Sequence, residues 1–205
     1  GKNGDSVISI QMMRSISGTV DAARQAADIT ETNVTVVDSD FTSRSMGMIV
    51  KEAAKAAQEG KSVEEILEIV EDAKKRTTLY LTVVNLDNLI KGGRISQVMG
   101  MFSNLLNIKL FLQVINGKIE IIQKGRGLKS LQKKYDEIFE QMKAAPNGIQ
   151  EIGIMHAGLS DFNEGNIARV RELFPDVPLT IVTTSPIIMS HTGVDAMAIT
   201  YLENK

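Results

Sequence analysis

Apolar and polar positions change their period several times along this chain, and each change marks an element. Ser6–Ile10 and Asn33–Asp38 are short β-branched runs that predict strands. Between them Val20–Ala27 has a helical pattern, opened by the small residues Ser17-Gly18-Thr19. A second helix is predicted from Met46 to Glu59, stopped by Gly60. Ser62-Val63-Glu64-Glu65 fits a capping box, and Ile66, Leu67, Ile69 and Val70 then form the apolar face of a third. Its basic end, Lys74-Lys75-Arg76, suits a helix C-terminus better than a partner-binding patch. Strands alternating with helices in this order predict a parallel sheet with helices packed on it.

From Thr77 the pattern changes. Thr77–Val84 predicts a strand, Asn85–Asn88 a helix N-cap region, and a short helix then runs to Gly92-Gly93-Arg94. Ser96–Leu106 is amphipathic, with Met99, Met101, Phe102 and Leu106 on its soft face. Asn116-Gly117 between two apolar runs is a strong hairpin signal, so an antiparallel pair is expected here. Lys124-Gly125-Arg126-Gly127 reads as a solvated basic turn. A helix is predicted from Leu128 to Lys143, a strand over Ile152–Ala157, a helix over Ser160–Phe174 and a strand over Pro178–Thr183. Thr184–Gly193 reads as a long turn, and Val194–Leu202 fits a strand or a helix. The expected fold class is therefore α/β in two domains. Residues 1–76 form the first, mainly parallel, and residues 77–205 form the second, mixed and containing the hairpin. Because the chain starts so close to a buried-type strand, the first domain is expected to be the remainder of a larger one.

Composition narrows the classes. Of 205 residues, 43% are hydrophobic and 23% charged, as in a globular protein, and the net charge of −2 gives no basic field for nucleic acid. The absence of cysteine excludes disulfides and thiolate metal sites and is compatible with the cytoplasm. With 10 methionines, no tryptophan and 4% aromatics, the interior is soft enough to line an irregular apolar cavity, although ordinary core filling accounts for Met equally well.

Chemistry is confined to a few turns. Only two histidines exist, and no zinc spacing, nucleophile elbow or phosphate loop is present. Ser17 and Thr19 open a helix, which is capping chemistry and also anion-binding chemistry. Gly92-Gly93 either caps a helix or brings Arg94 close to a ligand, and Arg94 suits a carboxylate. His191-Thr192-Gly193 supplies further donors. Donors on turns around a Met-rich cavity suit a ligand with an anionic head and an apolar tail. Two other readings stay open: an acyl or phosphoryl hydrolase or transferase using Ser17 and His191, and a ligand-free interaction fragment.

Asp5–Ile10, Ile16-Ser17-Gly18-Thr19, Val37-Asp38-Ser39, Leu86–Ile95, Leu105–Lys109 and His191-Thr192-Gly193, in this order, resemble the DegV family of bacterial fatty-acid-binding proteins. That family includes the FakB-type subunits of fatty acid kinase. The resemblance implies a long-chain fatty acid in an apolar tunnel, with no other cofactor and no metal. Its carboxylate would be bound by Ser17, Arg94, His191 and Thr192. Gly18, Thr19, Gly92, Gly93 and Gly193 would supply the supporting turns, and Ile16, Ile95, Met99, Phe102 and Leu106 would line the tunnel. The implied role is non-enzymatic: a cytoplasmic carrier presents the carboxylate to a separate kinase catalytic subunit, with transient membrane contact and no nucleic acid. The family's first segment, with its Thr-Ser-Gln-Pro motif, is expected to be missing. Serines are usual in the family where Met13 and Arg14 stand, and a proline where Leu110 stands. Met13 is expected to reshape the head-group pocket and Arg14 to add a charge beside it.

Overall fold

The computed structural model describes residues 3–93 and 108–205. The chain divides into two compact units. One is Gly1–Thr77 with Ile115–Lys118; the other is Thr78–Val114 with Ile119–Lys205.

In the first unit, β1 (Val7–Gln11) lies parallel to β2 (Val34–Asp38), registered from Val7↔Val34 to Gln11↔Asp38. Helix α1 (Thr19–Asp28) connects them, followed by α2 (Ser43–Gln58) and α3 (Val63–Arg76). The capping box forms at α3. Ser62 Oγ accepts the Glu65 N–H at 3.2 Å, and Glu65 Oε2 accepts the Ser62 N–H at 2.8 Å. Helices α2 and α3 pack together, burying Ala53 and Ala56 from one and Val70 and Ala73 from the other. Alanine on both helices lets their backbones approach closely. The basic end of α3 is engaged within the unit: Lys74 pairs with Asp40 at 2.7 Å and Glu71 at 3.0 Å, and Arg76 with Asp72 at 2.8 Å.

The second unit is built on a six-stranded sheet ordered β5-β4-β3-β8-β6-β7. Its strands are β3 (Thr77–Val83), β4 (Ile108–Ile115), β5 (Lys118–Arg126), β6 (Ile149–His156), β7 (Leu179–Thr183) and β8 (Met197–Glu203). Helices α4 (Asp87–Lys91), α5 (Leu128–Lys143), α6 (Asp161–Leu173) and α7 (Pro186–Thr192) complete it. The sheet is mixed: β6 runs parallel to β7 and antiparallel to β8, and β3 is antiparallel to β4. The β4–β5 turn is the expected hairpin. Asn116 and Gly117 take φ of 49° and 69°, the left-handed pair a type I′ turn requires.

The core of this unit gathers most of the chain's few aromatic rings. Phe111 meets Tyr135 edge-on at 4.9 Å and Tyr80 at 6.1 Å, and Tyr135 also touches Phe139 and Phe162. The Tyr135 hydroxyl is satisfied inside this core. Thr82 Oγ1 gives its proton to the Met197 carbonyl at 2.9 Å, so at 2.7 Å Tyr135 must donate to Thr82. Burial pushes the Tyr135 phenol well above its ordinary pKa.

Two local expectations are corrected. Lys124–Arg126 is not a turn but the end of β5. Gly125 stands there for close packing, because a Cβ at that position would collide with Ser130 Oγ. Thr184–Gly193 is not a long turn but mostly α7. Ser185 caps it, accepting the Ile188 N–H, and Pro186 takes the first helical position, so the Ser-Pro pair starts a helix. The open choice at Val194–Leu202 resolves as β8, whose residues 197–202 are all buried between β3 and β6, leaving no alternation to read.

Candidate functional site

Parallel strands place the loops that follow them on one edge of the sheet, where open α/β sheets bind ligands. In the first unit those loops are residues 12–18 after β1 and 39–42 after β2, and they are laced together. Phe41 O accepts the Met13 N–H at 2.7 Å, Asp38 Oδ2 accepts the Arg14 N–H at 3.1 Å, and Gln11 O accepts the Ser39 N–H at 3.0 Å. Asp38 Oδ1 accepts the Asp40 N–H at 2.9 Å. Asp40 and Ser43 hold left-handed φ of 60° and 54°, the kind of backbone strain that persists where the surroundings over-determine it. Asp40 is further fixed by Lys74. Burial acts to lower the Lys74 pKa, but its bonds to Asp40 and Glu71 more than offset this, and the net shift is upward.

This lacing accounts for two of the sequence departures. Met13 is fully buried and anchors its loop. The Arg14 side chain lies on the surface and pairs with Asp21 at 3.0 Å, so its charge is balanced by α1. The third departure, Leu110, is fully buried in β4 beside Val83, Leu86 and Leu89.

Ser17 is half-buried before the first turn of α1. It is not the N-cap residue; Gly18 is, and it offers no side chain. Ser17 Oγ instead accepts the Thr19 N–H at 3.3 Å and stands 2.6 Å from Thr19 Oγ1. If Thr19 donates in that second contact, Ser17 accepts twice and its own proton is free. A carboxylate, which only accepts, selects that arrangement. Ile16, half-buried beside it, donates its N–H to Met13 O at 3.3 Å.

In the second unit, Thr82 donating to Met197 O and Thr200 donating to Thr78 O show that β3 and β8 run antiparallel. Strands β3, β6 and β7 therefore share a direction and a carboxyl edge, and α4 and α7 follow β3 and β7 from that edge. The two helices pack together. Asn85 Oδ1 accepts the Asp87 N–H at 2.9 Å, starting α4 with a side-chain turn. Gly92 and Gly93 end it, and they differ in role. Gly93 has φ of +70° with open space where a Cβ would stand, so the backbone requires glycine there. Gly92 has an ordinary φ of −75°, but a Cβ on it would collide with Nδ1 of His191. The glycine is there for the imidazole.

His191 thus lies against the end of α4, its Nδ1 buried and making no hydrogen bond among the described residues. Thr192 is buried and donates its hydroxyl proton to Ile188 O at 3.1 Å, one turn back in α7. Gly193 closes that helix at φ +78°, donating its N–H to Met189 O at 2.9 Å. Sequence reasoning missed Asn88 as a side chain with a role here: its amide donates to Ser190 O at 3.0 Å, linking α4 to α7. Only the spacing of the two helices reveals this. Arg94, Ile95, Met99, Phe102 and Leu106 lie outside the described residues. Among the described residues no cluster of three or more acidic, histidine or cysteine side chains is arranged to hold a metal, and no helix is long and apolar enough to cross a membrane.

Comparison with known proteins gives a consistent result. The family model described as "Uncharacterised protein, DegV family" matches residues 1–204. A DegV domain-containing protein of Streptococcus pneumoniae serotype 4 is 41% identical over 198 residues, 97% of this chain and 70% of that protein. One from Listeria innocua serovar 6a is 39% identical over 199 residues, again covering 97% and 70%. Among solved structures, DegV of Bacillus subtilis, described as a fatty acid binding protein, superposes with a TM-score of 0.84 at 26% identity, covering 98% of this chain and 71% of that one. A DegV family protein of Thermus thermophilus, described by its fatty acid binding, gives 0.80 at 29% identity with the same coverage. The motifs at Ser17, Gly92 and His191, the mixed fold and these likenesses agree, and the chain belongs to the DegV family.

Proposed function

We propose that this protein binds a long-chain fatty acid and presents its carboxylate to a separate kinase subunit in the cytoplasm, without itself transferring a group. The head group is held by Ser17, Arg94, His191 and Thr192. The acyl chain runs in an apolar tunnel lined by Ile16, Ile95, Met99, Phe102 and Leu106. The observation that carries this reading is Ser17, whose oxygen accepts the Thr19 N–H and stands 2.6 Å from Thr19 Oγ1, an arrangement in which Thr19 can donate and leave the Ser17 proton for an acceptor. The fatty acid binding of the Bacillus subtilis and Thermus thermophilus relatives supports the choice of ligand. Thr192 contributes less than Ser17, because its proton must first leave Ile188 O. A hydrolase reading has less support. A serine nucleophile needs a base accepting its proton, and the buried Nδ1 of His191 accepts none among the described residues.

Lipid mass spectrometry of the purified protein, extracted under denaturing conditions, should show a co-purifying fatty acid. Saturating oleate should raise the melting temperature. At a hundredfold excess over Kd the stabilisation is about 2.7 kcal/mol, or roughly 5–10 °C for a chain of this size. No co-purifying lipid and no shift with oleate or palmitate would end the carrier reading. Mixing the loaded protein with a bacterial fatty acid kinase catalytic subunit and ATP tests the partnership separately, through formation of acyl phosphate.

Thr19→Val keeps the shape of its side chain and removes the hydroxyl that stands 2.6 Å from Ser17 Oγ. Oleate affinity is expected to fall roughly two- to tenfold, the worth of one hydrogen bond, with little change in melting temperature because Thr19 is exposed. Titration calorimetry of the variant checks this, and unchanged affinity would detach Thr19 from the head group.

A further inference from the structure

We propose that Asn88 and Gly92, on α4, are positioning residues that together set the orientation of the His191 ring on α7. Helix α7 has only seven residues, too few to hold its own geometry, and the carbonyls of its last turn lack partners within the helix. Two of them are supplied, Met189 O by the residue that closes the helix and Ser190 O from α4, and hydroxyls add donors to the two carbonyls just before. Thr192 Oγ1 donates to Ile188 O, Ser190 Oγ donates to Ile187 O and the Gly193 N–H donates to Met189 O. The carbonyl of Ser190, the residue before His191, takes the Asn88 amide at 3.0 Å. Asn88 also backs the turn that follows, since a Cβ on Gly193 would stand 3.6 Å from its Cγ and Oδ1.

Gly92 then limits the ring. Its backbone is compatible with any residue, but the imidazole fills the space a Cβ would take. Nδ1 is shut against the α4 end and makes no hydrogen bond among the described residues, so Nε2 is the ring nitrogen left for a ligand. Asn88 fixes where α7 ends, and Gly92 fixes where the ring goes. The consequence for ligand binding rests on the proposed place of His191 in the head-group site; the positioning itself does not.

The chain has only two histidines, so imidazole NMR of the ligand-free protein reads His191 directly, with His156 in β6 as an internal control. Asn88→Asp keeps the size of the side chain and puts a carboxylate in the first turn of α4, which favours that helix, yet it removes the donor to Ser190 O. The His191 resonances are expected to move and those of His156 to stay. Oleate Kd is expected to rise roughly three- to tenfold, as for one lost hydrogen bond. Gly92→Ala should move the same His191 resonances by displacing the ring. If His191 is unmoved in both variants, the positioning proposal is overturned, whatever oleate does. If His191 moves while oleate affinity is unchanged, the positioning stands and His191 leaves the head-group site.

Discussion

Arg94→Ala should weaken oleate binding by roughly ten- to a hundredfold, which is the worth of a charge-assisted hydrogen bond to a carboxylate. No other change proposed for the head-group site is expected to cost as much. Ser17, Thr192 and His191 offer hydroxyl or imidazole donors, whereas a guanidinium brings a permanent charge and a fork matched to two oxygens. Arg94→Lys should recover part of the loss, since the charge returns and the bidentate geometry does not. Calorimetric titration with oleate gives both values. An Arg94→Ala protein that binds as tightly as the parent would remove Arg94 from the site and leave the carboxylate to the turns at Ser17 and His191.

The second large effect falls on stability. Phe111 is fully buried in β4 and is the ring through which Tyr80 and Tyr135 meet. Phe111→Ala should cost about 3–5 kcal/mol through lost burial and the cavity left behind. The edge-on ring contacts add about 0.5–1.5 kcal/mol each beyond burial. Tyr80, Tyr135 and Tyr201 are the chain's only tyrosines, tryptophan is absent, and all three lie in the second unit. Intrinsic fluorescence during urea unfolding therefore reports that unit alone. The midpoint is expected to fall steeply in Phe111→Ala and much less in Phe111→Leu, which keeps most of the volume. A midpoint unchanged in Phe111→Ala would mean that this ring cluster does not hold the unit together.

Much of the fold was legible because local chemistry and tertiary demand agreed. The Ser62–Glu65 box, the Asn116-Gly117 turn and the apolar face of Leu131, Tyr135, Ile138 and Met142 each carry their own geometric requirement within a few residues. The errors fall where a short stretch fits two structures. Ser185-Pro186 suits a turn or a helix start, and seven residues are too few for a period to choose. Lys124-Gly125-Arg126 reads as a turn but ends β5, with Lys124 and Arg126 exposed and Ser130 of α5 packed on the glycine between them.

The sequence by itself determined which residue types the candidate site has to work with: one serine-threonine turn, a paired glycine before an arginine, and one histidine beside a threonine. It also set the order of strands and helices that carries them, because periodicity and caps are encoded locally. Only the tertiary structure decided what each residue does there. It made Met13 a core anchor, turned Arg14 onto Asp21 and committed the Thr192 proton to Ile188. It also divided two adjacent glycines between a left-handed turn at Gly93 and room for an imidazole at Gly92. A φ angle is a property of the local chain, but the space beside a Cα depends on what another helix, about a hundred residues away in sequence, brings against it.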